Sequence, residues 1–196
     1  MPRTGLIILA AGSSTRMGRP KQLLPWGGTS LLRHACETAL QSACSPIIVV
    51  LGCDPESCCA AMEGLSVTIV INESWPKGLG TSIAVGIRKL EEDAPGVDGV
   101  LIMLADQPTV TPSLLGALIN NWSPPVHPIV ATLYGEEGGV PALFDRSFFP
   151  ELRRLEQDRG ARALIAREKE RTLLINPGAN LIDLDTPEAY RRHQPL

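Results

Sequence analysis

Three cations, Arg16, Arg19 and Lys21, crowd into one loop of mostly small residues, Gly12-Ser13-Ser14-Thr15-Arg16-Met17-Gly18-Arg19-Pro20-Lys21. A glycine-bearing backbone lets N–H groups come close to an anion, and fixed cations then neutralise it. The apolar run Leu6-Ile7-Ile8-Leu9-Ala10-Ala11 leads straight into the loop and reads as a buried parallel strand. Cations and glycines after a first strand point to a phosphate-bearing ligand, with a nucleotide the foremost candidate. A solvated basic loop is the plainer reading, and Arg19 fits it.

Two better-known phosphate loops are excluded. The P-loop needs Lys directly after its second Gly, whereas Gly18 is followed by Arg19 and Pro20. The dinucleotide fingerprint G-x-G-x-x-G fails as well, because Gly12 and Gly18 are too far apart. Neither an ordinary ATPase loop nor a hydride-transfer site is present.

Carboxylates follow later in the chain. Asp106 comes just after Val100-Leu101-Ile102-Met103-Leu104, a run too apolar for an edge strand, so its side chain emerges at the end of a central one. Mg²⁺ is satisfied by one or two carboxylates together with phosphate oxygens and water, so such an Asp can serve as a metal ligand. It can equally be a turn-former before Gln107-Pro108. Asp183 and Asp185, two apart on an expected strand, would share one face and offer further ligands. Against this, Asp185 and Glu188 fit a capping box, and Thr186 before Pro187 is an equally good N-cap. Gly78-Leu79-Gly80-Thr81-Ser82 opens a helix, where N–H groups and hydroxyls can meet a base or ribose, or simply cap the helix.

The opening resembles that of the MobA-like nucleotidyltransferases, whose signature is L-A-A/G-G-x-S-x-R-M-G-x-x-K. Gly78-Leu79-Gly80-Thr81-Ser82, Leu104-Ala105-Asp106-Gln107-Pro108, Gly139-Val140-Pro141-Ala142-Leu143-Phe144 and Asp183-Leu184-Asp185-Thr186-Pro187 are similar to its later motifs, in the same order. The match is closest to the branch handling molybdenum cofactor with CTP. The resemblance implies a Rossmann-like nucleotidyltransferase fold and Mg²⁺-dependent transfer of CMP from CTP to the phosphate of a molybdopterin-type acceptor. Arg16, Lys21 and Asp106 would be catalytic. Leu9, Ala10, Ala11, Gly12, Ser13, Ser14, Arg16, Lys21, Gly80, Thr81 and Ser82 would bind the nucleotide. Asp106 would hold the metal with Asp185 or Asp183, and Gly139 and Pro141 would face the acceptor.

Two details bear on specificity. Guanylyl-transferring relatives tend to carry L-A-G-G where this chain has Ala11, whose Cβ narrows the base pocket toward a pyrimidine. Cytidylyl-transferring relatives usually read G-H-P where this chain has Gly139-Val140-Pro141. The acceptor could therefore be a sugar phosphate or another small phosphorylated alcohol. The same residues are compatible with GTP use, and with a non-catalytic chaperone that hands molybdenum cofactor to a molybdoenzyme.

The elements that must position these residues alternate. Apolar runs at 5–11, 46–51, 67–71, 98–104 and 128–133 are separated by helical patterns at 29–41, 54–63, 80–92 and 112–121. That alternation implies a doubly wound, mostly parallel sheet with helices on both faces, a three-layer α/β/α arrangement. A short strand at 141–144, helices near 146–155 and 160–168, strands at 172–176 and 180–184 and a last helix from 185 should extend it. One domain over 1–196 is expected, with a nucleotide half to about 110 and an acceptor half beyond. In such sheets ligands sit beyond the carboxyl ends of the strands, where strand order reverses.

Composition sets the outer limits. Apolar content of 44% and charge of 20% are those of a soluble protein, and a net charge of −3 gives no footprint for nucleic acid. With no membrane-length apolar run and no secretion signal, a cytoplasmic location is expected. The 5 cysteines lack zinc-like spacing and read as reduced structural thiols, with Cys58-Cys59 an oxidation liability. His34, His127 and His193 read as structural or solvated.

Overall fold

The computed structural model describes residues 2–13, 20–157, 160–178 and 181–195. Its strands are β1 (Thr4–Ala10), β2 (Pro25–Trp26), β3 (Thr29–Ser30), β4 (Ile47–Leu51), β5 (Thr68–Ile71), β6 (Gly99–Leu104), β7 (Ile129–Tyr134), β8 (Glu137–Asp145) and β9 (Thr172–Ile175). The helices are α1 (Leu31–Leu40), α2 (Pro55–Ala61), α3 (Leu79–Asp93), α4 (Pro112–Asn120), α5 (Phe149–Leu152), α6 (Ala161–Arg167) and α7 (Pro187–His193).

Every residue of β1 is buried, as an apolar run without alternation demands of a central parallel strand. It pairs in parallel with β4 on one side and β6 on the other. Seven strands form one sheet in the order β5-β4-β1-β6-β8-β7-β9, while β2 and β3 make a small separate hairpin. The chain winds outward from β1 through β4 to β5, then returns to β6 on the far side. Strand order therefore reverses between β1 and β6, where the expected ligand cleft lies. Only β8 runs antiparallel within the sheet, between β6 and β7. The sheet is doubly wound and mostly parallel, as its alternating pattern implied.

Successive side chains of β1 serve opposite layers. Leu6, Ile8 and Ala10 pack with Ala35, Cys36, Cys58, Leu115 and Leu118 from α1, α2 and α4. Ile7 and Leu9 pack with Ile83, Ile87, Phe149, Leu164 and Ile165 from α3, α5 and α6. Helix starts follow the local chemistry: the side chains of Ser30, Asp54, Thr111 and Thr186 accept from backbone N–H groups three residues on. A satellite cluster of Leu24, Trp26, Leu31, Leu184 and Tyr190 ties α7 to the β2–β3 hairpin. No helix among the described residues is long and apolar enough to cross a membrane.

Two expectations are corrected. The strand placed at 141–144 is the nine-residue β8, which runs from Glu137 and pairs with both β6 and β7. The strand placed at 180–184 is irregular chain over the described residues 181–184. Its backbone bonds to the loop after β6, with Leu184 N–H donating to Asp106 O at 3.1 Å and Ile182 N–H to Thr109 Oγ1 at 3.0 Å. Asp185 N–H turns back to Asp183 O at 3.1 Å, which ends the alternation that would have put both carboxylates on one face.

Candidate active site

A cavity of about 490 Å³ opens at the carboxyl ends of β1 and β6. Ala10, Ala11, Gly12 and Ser13 line it from the end of β1, Ala105 and Asp106 from beyond β6, and Ser82 from α3. Lys21 and Asp185 also line it. Arg16 and Ser14, expected to meet the phosphates, lie outside the described residues, as does Arg19.

Lys21 joins the carboxylates. Its Nζ donates to Asp106 Oδ2 in a short contact and to Asp185 Oδ1 at 2.7 Å. Burial alone would lower its pKa, but the charges and hydrogen bonds of Asp106 and Asp185 outweigh that and hold it above the ordinary lysine value. Lys21 therefore stays an ammonium at neutral pH. Asp106 Oδ1 is buried and has no hydrogen-bond partner among the described residues. A buried carboxylate oxygen left without a partner is costly, which marks Asp106 as a side chain whose role is not accounted for by the surrounding packing.

The start of the loop is pinned by a buried residue. Gln22 Nε2 donates to Ala10 O at 2.7 Å and to Gly12 O at 2.6 Å, fixing the chain as it leaves β1. Gly52, after β4, lets that loop pack closely. A Cβ there would stand 2.6 Å from both Ala11 O and the Trp75 side chain. Trp75 and Pro76 form the wall opposite the loop, in the turn before α3. Gly78 has φ +117°, a conformation that glycine alone adopts readily.

The Gly78–Ser82 motif divides. Gly78, Leu79 and Ser82 line the cavity. Gly80 is buried and its N–H donates to Gln157 O at 2.8 Å, while Thr81 Oγ1 donates to Gly78 O at 2.8 Å and Ser74 O at 3.1 Å. The buried Asn72 side chain donates to both Thr81 Oγ1 and Ser82 Oγ at 2.9 Å.

A second cavity, about 290 Å³, adjoins the first and shares Leu9, Leu79 and Leu104 with it. Gln107, Tyr134, Gly139, Val140, Arg162 and Asp183 line it. Gly139 leaves room for the Tyr134 ring, which a Cβ would meet at 2.9 Å. Gln107 Nε2 reaches Asp183 Oδ1 at 2.8 Å and Tyr134 Oη at 2.9 Å, and Tyr134 donates to Val140 O at 2.5 Å. Burial raises the Asp183 carboxyl above the usual range, with the charges of Asp106 and Asp185 adding to the shift. Pro141 is buried in the sheet, its carbonyl accepting from Thr132 Oγ1 at 2.7 Å. The structure thus brings Lys21, Asp106 and Asp185 together and sets Asp183 apart beside Gln107.

Gln22, Gly52, Trp75 and Gln107 were not singled out in the sequence. Gln107 stood inside a recognised motif, and an aromatic in a Pro/Gly turn before a helix was a readable sign for Trp75. Gly52 and Gln22 carried no local signal, because each acts through contacts with a distant segment. His34 Nε2 bonds to Pro108 O at 3.0 Å and His193 Nδ1 to Ala189 O at 2.9 Å, both outside the cavities.

Lys21 meeting Asp106 and Asp185 beside the strand-order reversal defines a doubly wound α/β protein with a charged cleft at the carboxyl ends of its strands. The family model of the MobA-like NTP transferase domain matches residues 6–172, and the chain belongs to that family of nucleotidyltransferases. It is 31% identical over 198 residues to the purine catabolism protein PucB of Bacillus subtilis (strain 168), covering 94% of this chain and 92% of that one. It is also 31% identical over 198 residues to the molybdenum cofactor guanylyltransferase of Rhizobium meliloti (strain 1021), covering 95% and 88%. Nicotine blue oxidoreductase of Paenarthrobacter nicotinovorans is 34% identical over 119 residues, 60% of this chain and 56% of its own length. Among solved structures, Rv0371c from Mycobacterium tuberculosis H37Rv matches with a TM-score of 0.83 at 32% identity, over 97% of both chains. The structure of Rv0371C in complex with manganese matches at 0.80, again at 32% identity and 97% of both chains.

Proposed function

We propose that the chain transfers CMP from CTP to the phosphate of a molybdopterin-type acceptor and releases pyrophosphate. The observation that carries this is Lys21 held between Asp106 and Asp185 on the wall of the larger cavity. An acceptor phosphate oxygen attacks the α-phosphorus, the bond to the β-bridging oxygen breaks, and pyrophosphate leaves with that electron pair. A phosphomonoester is largely ionised at neutral pH, so its oxygen needs no general base. The protein's work is alignment and neutralisation. Lys21 supplies a compact positive charge that can follow the leaving phosphates, and Arg16 is assigned to hold them bidentately.

The donor set fits a divalent ion. Asp106, with its unpartnered Oδ1, and Asp185 would hold Mg²⁺, with phosphate oxygens and water completing the shell. Bound there, Mg²⁺ would screen the triphosphate and stabilise the departing pyrophosphate. Asp183 is the less favoured ligand, since it is engaged with Gln107.

Base choice rests on Ala11 and Ser82, both lining the larger cavity. The adjoining cavity, with Gly139 at its wall, is assigned to the acceptor. The two halves of the chain act as one domain, the first binding nucleotide and the second acceptor. The product would pass to a molybdoenzyme, and the protein works in the cytoplasm. A second reading keeps the reaction with GTP or another phosphorylated acceptor. The relative named as a molybdenum cofactor guanylyltransferase and the Val140 side chain favour it.

The test is pyrophosphate release with Mg²⁺ and CTP or GTP against a panel of phosphorylated acceptors. Preference for CTP with a molybdopterin acceptor is expected. Equal use of CTP and GTP would overturn the cytidylyl assignment. Ala11→Gly should shift kcat/KM toward GTP by about tenfold, because it enlarges only one side of the base pocket.

A further inference from the structure

Behind the nucleotide cavity, on the other side of the Trp75–Lys77 turn, lies a separate concavity of about 600 Å³. Three parts of the chain build it. From α3, Thr81, Ala84, Val85 and Arg88 recur at helical spacing and present one continuous face. The segment after α5 contributes Arg153 and Arg154, and the turn itself contributes Lys77.

Four cations thus rim one hollow on a chain whose net charge is −3. Arg153 is paired with Glu91 at 3.1 Å, and among the described residues Glu156 is the one acidic side chain on the lining. Lys77, Arg88 and Arg154 have no ion-pair partner among the described residues. With Glu91 and Glu156 counted, two positive charges remain in excess among the described residues. Like charges held together cost free energy unless an anion or solvent screens them. Ser74 lines the hollow beside the cations with the apolar Ala84 and Val85, while the Thr81 hydroxyl is committed to the carbonyls of Ser74 and Gly78.

We propose that this hollow is an accessory binding site for a small multiply charged phosphate, of the pyrophosphate or phosphate-ester class. Guanidinium groups from two elements grip such an anion bidentately, while Lys77 adds a point charge from the third side. The site shares its wall with the nucleotide cavity. Ser74 and Lys77 face the accessory hollow, whereas Trp75, Pro76 and Gly78 face the nucleotide side. Asn72 bonds across the partition to Thr81 on one side and Ser82 on the other. The proposal does not depend on which nucleotide or acceptor the enzyme uses.

The experiment is a titration of the full chain with inorganic pyrophosphate, read residue by residue from backbone amide chemical shifts. Glycerol phosphate serves as a second arm for the ester source. Amides of Lys77, Arg88, Arg153 and Arg154 should shift and saturate separately from those of Gly12, Ser13 and Asp106. The double substitution Arg88→Ala and Arg154→Ala, both at exposed positions, should weaken the first set at least tenfold and leave the second set as it was. Saturation by either probe supports the site, and the tighter one names the source. Patch amides that stay still at millimolar concentration, move equally in the double variant, or follow sodium chloride at matched ionic strength would overturn it.

Discussion

Lys21 occupies an unusual position, because its ammonium sits where a divalent cation would be expected to meet Asp106 and Asp185. In the proposed reaction the two carboxylates would turn to the ion while the lysine would follow the phosphates. Lys21→Ala should therefore keep the fold and lower kcat by roughly 10²-fold, the scale of a lost electrostatic donor. Steady-state rates at saturating nucleotide and acceptor check this, and unchanged turnover would remove Lys21 from the chemistry. Asp106→Asn preserves shape but loses the charge that the proposed metal role requires. Its Mg²⁺ titration should show a much weaker metal dependence, and an unaltered titration would move the metal to Asp183 and Asp185. The cysteines give a pH-linked prediction of another kind. Burial pushes the Cys36 thiol up to about 12 and Cys58 to about 11, and it raises Cys44 as well. These groups remain protonated and shielded at pH 8. Native protein should thus react quickly with a thiol reagent only at Cys53 and Cys59, and unfolded protein at all 5 cysteines.

Among the elements, the strands and helices around β1 were the most legible from sequence. Their apolar runs are fully buried on both faces, and the residues that cap them act locally. Less legible was what happens after β6. The 181–185 segment looks like an alternating strand, but its backbone partners are Asp106 and Thr109, more than 70 positions earlier. Local pattern cannot reveal a partner so far away, and so the separation of Asp183 from Asp185 was hidden. Thr186 takes the capping role on α7, with its Oγ1 accepting from Ala189 N–H at 3.1 Å, and this frees Asp185 from that duty. Gly52 was hidden for the same reason, since its constraint is set by Ala11 and Trp75. Gly52→Ala should cost about 1–3 kcal/mol, the range for an overpacked site. It should also raise KM for nucleotide, because the displaced neighbours line the cavity. Chemical denaturation together with kinetics separates the two effects, and a normal KM with normal stability would refute the close-packing argument.

Across the whole molecule, the active site is joined from the two ends of the described chain. The Tyr190 hydroxyl donates to Pro25 O at 2.6 Å and holds α7 against the β2–β3 hairpin, just beyond Lys21. Tyr190→Phe removes that bond from a partly exposed carbonyl and should cost about 1 kcal/mol. For a chain of 196 residues that is a fall in Tm of about 2–4 °C, readable by calorimetry. If the clasp helps to seat Asp185, the same variant should lose nucleotide transfer beyond what its stability explains. A full rate at a temperature well below Tm would show that Asp185 is placed by residues 181–185 alone.

The Lys21–Asp185 pair spans 164 positions, and this has a consequence during synthesis. A ribosome adds roughly 5–20 residues each second. Once Lys21 has been made, its carboxylate partner does not exist for about ten to thirty seconds. Asp106 appears about midway through that interval, so the nascent chain holds Lys21 and one carboxylate well before the second arrives. The Lys21 ammonium can meet Asp106 first, and its second carboxylate arrives only when the segment carrying Asp185 folds back.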